Sequence, residues 1–299
     1  MTGTGSLQVP RKTAAMWLAP VLFLGISMLF SARIHHIRSL PPFGADREVR
    51  VEGLLAEISR RPAFAFGFRN LLGDLAWLSA VQVAGSRRMA PAEYDRLYLL
   101  LRTVGNYDPR FVVPYLLGGM VLGNSERHIP EALDILERGW KTHPNDWRFP
   151  FYIGYTRYFS LGDPLGGAQS LEAAARIPGS PSYIPLLATR MYSEGRAPET
   201  ALAFLAGMIR EETDPARLEQ LRRRTREVIV ERDIQALERA VAEYRARTGR
   251  MPEDLSDLVR ERVIPKLPVE PHGGSYRLSP DGSVHSDRVS TRLKVFRPR

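Results

Sequence analysis

The 299-residue chain contains no cysteine. That removes a disulfide framework, thiolate zinc sites, a cysteine nucleophile and thioether-attached haem. It leaves either side of a bacterial membrane open as a compartment. Metal-binding pairs are missing too. His35 and His36 are adjacent, while His128, His143, His272 and His285 are isolated, and no His-x-x-x-His or Glu-x-x-His spacing puts two ligands on one helix face. Gly-x-Ser-x-Gly and Gly-x-x-x-x-Gly-Lys are both absent, so neither a hydrolase nucleophile elbow nor a phosphate-cradling loop of that kind is written here. Asp163-Pro164 and Asp214-Pro215 read as turn and cap residues, not as a catalytic pair of carboxylates. No cofactor or metal is expected, and the chain reads as a binding protein, not an enzyme.

Long apolar runs are scarce, and one stands out. Residues 13–32 carry no charge and lie between Arg11-Lys12 and Arg33. Twenty helical residues span about 30 Å, the thickness of the hydrocarbon layer. A transmembrane helix is therefore expected at 13–32, after a tail at 1–12 and before a juxtamembrane linker at 33–47 that contains Pro41-Pro42. A cleaved secretory signal is the competing reading. Cleavage after Ala32 would put Phe30 at the minus-three position, where a small residue belongs. Basic residues flank both ends of the segment, so charge does not fix its orientation. A second apolar stretch, Phe64 to Ala84, is interrupted by Arg69 and Asp74 and reads instead as the buried first helix of a helical domain.

The net charge of +9 invites a nucleic-acid reading, but its distribution argues against one. Residues 1–50 and 216–250 each carry +4, whereas residues 111–215 carry −3. A groove for a phosphate backbone should be the basic part of the protein. The basic ends fit anionic lipid headgroups better.

The acidic middle is periodic. Gly119, Gly154 and Ala188 are 35 and 34 apart; Ala132, Ala168 and Ala201 are 36 and 33 apart; Pro144, Pro181 and Pro215 are 37 and 34 apart. Three markers sharing one period indicate an array of helical hairpins, with small residues permitting close helix contact and proline stopping the second helix. With Tyr115 at its aromatic position, Gly119 and Gly154 at its small position, Ala132, Ala168 and Ala201 at its alanine position and Pro144 at its end, the pattern resembles the tetratricopeptide repeat. A divergent hairpin at the amino end, including a helix opened by Pro91, makes about four, spanning 48–215. The resemblance implies a surface that holds other proteins or peptide segments. Phe149 to Phe159 is crowded with rings, which either fill the space between hairpins or line a peptide groove. The groove reading selects Arg148, Phe151, Tyr155, Tyr158 and Tyr192 as partner-binding residues.

Residues 216–248 are rich in Arg and Glu, with apolar positions from Leu218 to Tyr244, and read as one or two amphipathic helices capping the array. Beyond them, Tyr244, Gly249-Arg250-Met251-Pro252, a short Leu255-Leu258 helix, Pro268-Val269-Glu270-Pro271-His272-Gly273 and an Asp281-Gly282 hairpin signal follow in order. This succession resembles the carboxy-terminal half of type II secretion pseudopilins, with Glu270 in place of an aspartate. The Phe-Thr-Leu-x-Glu processing motif of pilins does not precede the apolar amino-terminal segment, and calcium ligands are not carried over. The resemblance implies an extracytoplasmic module at 249–299.

The sequence thus points to a mostly α protein: one transmembrane helix, an α-solenoid of about four hairpins and a small α+β module. The expected role is a scaffold for envelope assembly, anchored in a bacterial inner membrane with its bulk in the periplasm. Two alternatives stand beside it: an envelope enzyme in which Arg148, Arg157 and Arg190 meet in one pocket, and a cytoplasm-facing regulator whose basic segments bind lipid or nucleic acid.

Overall fold

The structure is a computed structural model that describes residues 45–61 and 67–293. The expected tail at 1–12, the transmembrane segment at 13–32 and most of the linker at 33–47 lie outside those residues. The described part is mostly helical, with eleven α-helices and a two-stranded antiparallel sheet. Among the described residues no helix is long and apolar enough to cross a membrane. The chain divides into two compact units, Met1–Leu55 and Ala56–Arg299. Of the first, the structure describes the amino-terminal part of helix α1 (Ala45–Ser59).

The second unit contains α2 (Arg69–Ala84), α3 (Pro91–Tyr107), α4 (Val112–Leu122), α5 (Ile129–Thr142), α6 (Arg148–Leu161), α7 (Pro164–Ala175), α8 (Tyr183–Glu194), α9 (Pro198–Glu211), α10 (Pro215–Thr248) and α11 (Ser256–Arg260), then strands β1 (Tyr276–Leu278) and β2 (Val284–Ser286). From α2 to α10 each helix packs on the next. Pro91, Pro130, Pro164, Pro198 and Pro215 all fall in first turns, where a missing N–H costs nothing. Gly162, at φ 65°, ends α6, and the Asp163 carboxylate caps α7 by accepting from the Gly166 N–H at 2.8 Å.

The small residues of the period set the helix spacing. Ala132, Ala168, Ala188 and Ala201 are fully buried. A Cβ on Gly154 would lie 2.8 Å from the Gly167 carbonyl oxygen, so α6 and α7 touch backbone to backbone. The prolines of the period divide between two ends. Pro144 directly follows the C-cap of α5, as expected of a proline that stops a helix, whereas Pro181 stands shortly before α8 and Pro215 is the first residue of α10, so these two open the following helix. The period also appears in hydrogen bonds: Tyr98 donates to Asp134 and Tyr158 to Glu194, each across 36 residues.

Helix α2 departs from the expected buried helix. Its inner face is made of Gly73, Ala76, Ala80 and Val83, against α3, with Tyr107 filling the space beside Gly73. Its larger side chains turn outward: Leu71 is 53% exposed and Leu78 58%, in a row with Phe68, Leu75 and Val81. Arg69 locks the start of α2 to the end of α3, donating to the carbonyls of Tyr107 (2.9 Å) and Asn106 (3.0 Å), where the helix dipole favours a cation.

Helix α10 is one helix of 34 residues and serves two cores. Leu221 and Val228 join the cluster of α7, α8 and α9, whereas Val230, Ile234, Leu237, Val241 and Tyr244 pack with Leu255, Leu258 and Val284. The cap at 216–248 and the module at 249–299 therefore share a helix, and the carboxy-terminal module has its core on α10. The strands form the expected hairpin, in the register Tyr276↔Ser286, Arg277↔His285 and Leu278↔Val284, with Gly282 at φ 85° in the turn. Before it, the buried Glu270 carboxylate accepts from the N–H groups of His272 (2.7 Å) and Gly274 (2.9 Å) and from the Ser286 hydroxyl (3.2 Å). It thereby joins the Pro-Val-Glu-Pro-His-Gly turn to β2.

Two stability measurements follow from this packing. Gly154→Ala should cost about 1–3 kcal/mol, because neither backbone can yield easily; an unchanged thermal midpoint would refute the close approach. Burial pushes the Glu270 carboxyl up, but hydrogen bonds from Gly274 and from His272 outweigh it and hold it below the ordinary value of 4.5. Its contribution is present above that value and is lost as the pH falls through the lower folded-state value. Wild type should therefore lose stability relative to Glu270→Gln as the pH drops below about 4.5, and parallel acid denaturation curves would show that the turn does not depend on this charge.

Candidate partner-binding surface

The five residues selected from the sequence divide by the face of the helix each occupies. On α6, Phe149, Ile153, Thr156 and Tyr158 point into the interior, leaving Phe151, Tyr152 and Phe159 half-buried and Tyr155 exposed. Tyr158 is fully buried, and its hydroxyl donates to Glu194 Oε2 at 2.6 Å. Tyr192 is likewise in the core and donates to Glu172 Oε2 at 2.6 Å; burial first, then this carboxylate, raise its pKa. These two rings hold helices together and offer no surface to a partner.

Arg148 is exposed but engaged. It donates from Nε to Asp146 Oδ1 at 2.8 Å and from Nη2 to Asp146 Oδ2 at 2.6 Å, a fork that holds the Asp146 carboxyl below its usual range. Phe151 and Tyr155 remain available. Phe151 sits edge-on to Trp147, Tyr152 and Tyr183, with centroids at 6.0, 5.3 and 6.3 Å. Tyr155, 48% exposed, leans on Phe159 at 4.5 Å. The outcome is an aromatic surface on α6, extended by Tyr183 of α8 and bordered by an arginine whose charge is neutralised. Such rings bury much area with few rotamers to freeze, which suits them to anchoring another chain.

Arg148, Arg157 and Arg190 do not share a pocket. Arg157 lies 3.8 Å from Glu137, and Arg190 lines a separate cavity with arginines of α10. Among the described residues no group of histidine and carboxylate side chains is placed to hold a metal ion. His128, fully buried, spans Ser125 Oγ (2.8 Å) and Asp95 Oδ1 (3.1 Å) and stacks on Tyr94, which accounts for it as a structural residue.

Sequence reasoning missed Trp147 and Tyr183 as members of the aromatic surface, and it missed the outward row on α2. A signal for the row was present: Gly73, Ala76 and Ala80 recur at helical spacing, so the small side is the one that packs closely and the bulky side is left over. Compared with protein-family models, curated proteins and solved structures, the chain matches none.

Paired substitutions separate surface rings from core rings. Tyr155→Ala should change stability by less than about 0.5 kcal/mol. Tyr158→Ala should cost about 3–5 kcal/mol, as for other buried aromatic truncations. Equal midpoints for the two variants in chemical denaturation would remove the distinction.

Proposed function

We propose that the chain is a membrane-anchored scaffold built as a solenoid of about four tetratricopeptide-like hairpins, which holds another protein in an envelope assembly such as a secretion, pilus or other surface complex. On this reading residues 13–32 form a single anchor in a bacterial inner membrane, the helical unit stands in the periplasm, and 249–299 is a pseudopilin-like module.

The observation that carries the proposal is the outward row of Leu71, Leu75, Leu78 and Val81 on α2, with Phe68 just before it. Scattered exposed apolar side chains are ordinary, but four in a row at helical spacing, continued by the N-cap Phe68, on a helix whose other face is already packed is the mark of a contact surface. Water would gain about 25 cal/mol per Å² from its removal. The row is firmly positioned, because Arg69 and the small inner face fix α2 on α3. An apolar helix of a partner protein is the occupant that suits it, since two such helices pack along their length without burying unpaired charge. The aromatic surface on α6 and α8 supplies a second contact of the same kind.

The test is an in-cell crosslinking pull-down with a carboxy-terminal tag, with protease accessibility measured in spheroplasts of the same cells. Exposure to protease and recovery of envelope-assembly proteins, abolished by Leu71→Glu with Leu78→Glu at unchanged helicity, is the expected result. Protection from protease with capture of cytoplasmic factors alone would overturn the scaffold, its topology and the reading of the module.

A further inference from the structure

Helix α8, the middle of α10 and the segment after β2 enclose a cavity of about 450 Å³. Six arginines line it: Arg190, Arg223, Arg224, Arg226, Arg288 and Arg292. Two of them have carboxylate partners that account for their charge: Arg292 is held by Glu231 and Glu238, and Arg226 by Glu219 at 3.2 Å. Among the described residues Arg190, Arg223 and Arg288 have no carboxylate partner.

Arg224 is the telling residue. It is 7% exposed, and its Nη1 lies 2.9 Å from Glu227 Oε2, yet neither Nε nor Nη1 donates a hydrogen bond. Burial lowers its pKa, and Arg190 and Arg223 lower it further against the pull of Glu227. A buried guanidinium with idle donors, crowded by like charges, is an unfavourable arrangement unless something anionic completes it. Counting the six arginines against Glu219, Glu227, Glu231 and Glu238, the cavity keeps two uncompensated positive charges.

We infer that this cavity is a binding site for a phosphate-bearing ligand, with Arg224 as its floor and Arg190, Arg223 and Arg288 closing around the phosphoryl oxygens. The planar forks of arginine match phosphate geometry. A monoanionic carboxylate would leave half of that charge unanswered, whereas a phosphate monoester or diphosphate answers it. The volume exceeds that of a single phosphate and falls within the range of small-molecule sites, so the phosphoryl group comes with an organic body. Val289 and Leu293 offer that body an apolar wall. The ligand would bridge the helical array and the carboxy-terminal segment and brace them against each other. The site is independent of the scaffold reading, which rests on α2.

The test is titration calorimetry on the full chain with inorganic pyrophosphate, glycerol phosphate and dihexanoyl phosphatidic acid below its micelle concentration, with acetate as control. Saturable one-to-one binding of pyrophosphate, no binding of acetate, and at least tenfold weakening in each of Arg190→Gln and Arg288→Gln are expected; both side chains are exposed and their loss leaves no buried group unpaired. Arg224→Gln should abolish binding, and should raise the thermal midpoint of the ligand-free protein or leave it unchanged. Phosphatidic acid binding tenfold tighter than glycerol phosphate assigns the site to a lipid headgroup, and equal affinities assign it to a soluble phosphate compound. Absence of saturable binding of all three phosphates, or binding indifferent to the arginine substitutions, overturns the site.

Discussion

The second unit turns on one buried carboxylate. Glu231, near the middle of α10, accepts from Arg292 Nε (2.8 Å) and Nη2 (2.7 Å), from the Leu293 N–H (3.3 Å) and from the Gln235 amide (2.9 Å). Gln235 in turn donates to the Ser193 carbonyl at 2.7 Å. Glu231, with Gln235 as its link, thus ties the end of α8, the long helix and the returning segment after β2. A buried carboxylate deprived of its partner costs about 3–5 kcal/mol, so the arrangement is all or nothing. Arg292 is also held by Glu238 at 2.8 Å, which leaves it little freedom to serve elsewhere.

Much of the surrounding architecture depends on that tie. Helix α10 ends one core with Val228 and begins another with Val230, so the two cannot part without breaking a continuous helix. The segment fixed by Arg292 brings Arg288 to the cavity beside Arg190 and Arg224, and so the interaction that closes the fold also gathers charge of one sign. Tyr276 of β1 adds a further link, donating to Asp233 Oδ2 at 3.0 Å one turn's reach from Glu231.

Elsewhere, size is the constraint that decides which surface is inside. Gly154 and Gly167 let α6 and α7 meet at backbone distance, and Gly73, Ala76 and Ala80 do the corresponding work on α2. Where the small side packs, the large side is left facing outward, as the row from Phe68 to Val81 shows. On α6 the rule is reversed: large rings at Phe149 and Tyr158 fill the interior beside Gly154, while Tyr155 is exposed and Phe151, Tyr152 and Phe159 are half-buried. Apolar content therefore does not report exposure by itself.

The sequence alone determined what is local and periodic. The shared period of Gly119, Gly154 and Ala188 with Ala132, Ala168 and Ala201 marked the helices that touch, because a missing side chain at a contact is a requirement that no neighbour can supply. Pro91 marked a helix start, and Asp281-Gly282 marked the hairpin turn, because backbone dihedrals belong to single residues. What only tertiary structure decided is which rings are buried and which charges meet. Tyr155 and Tyr158 are alike in sequence, and three positions of helical rotation make one a surface and the other a core residue. Arg190 and Arg288 are 98 residues apart and enter one cavity only because Glu231 draws the end of the chain back across α10. Electrostatic neighbourhoods are set by distance in space, and a linear pattern carries no measure of it.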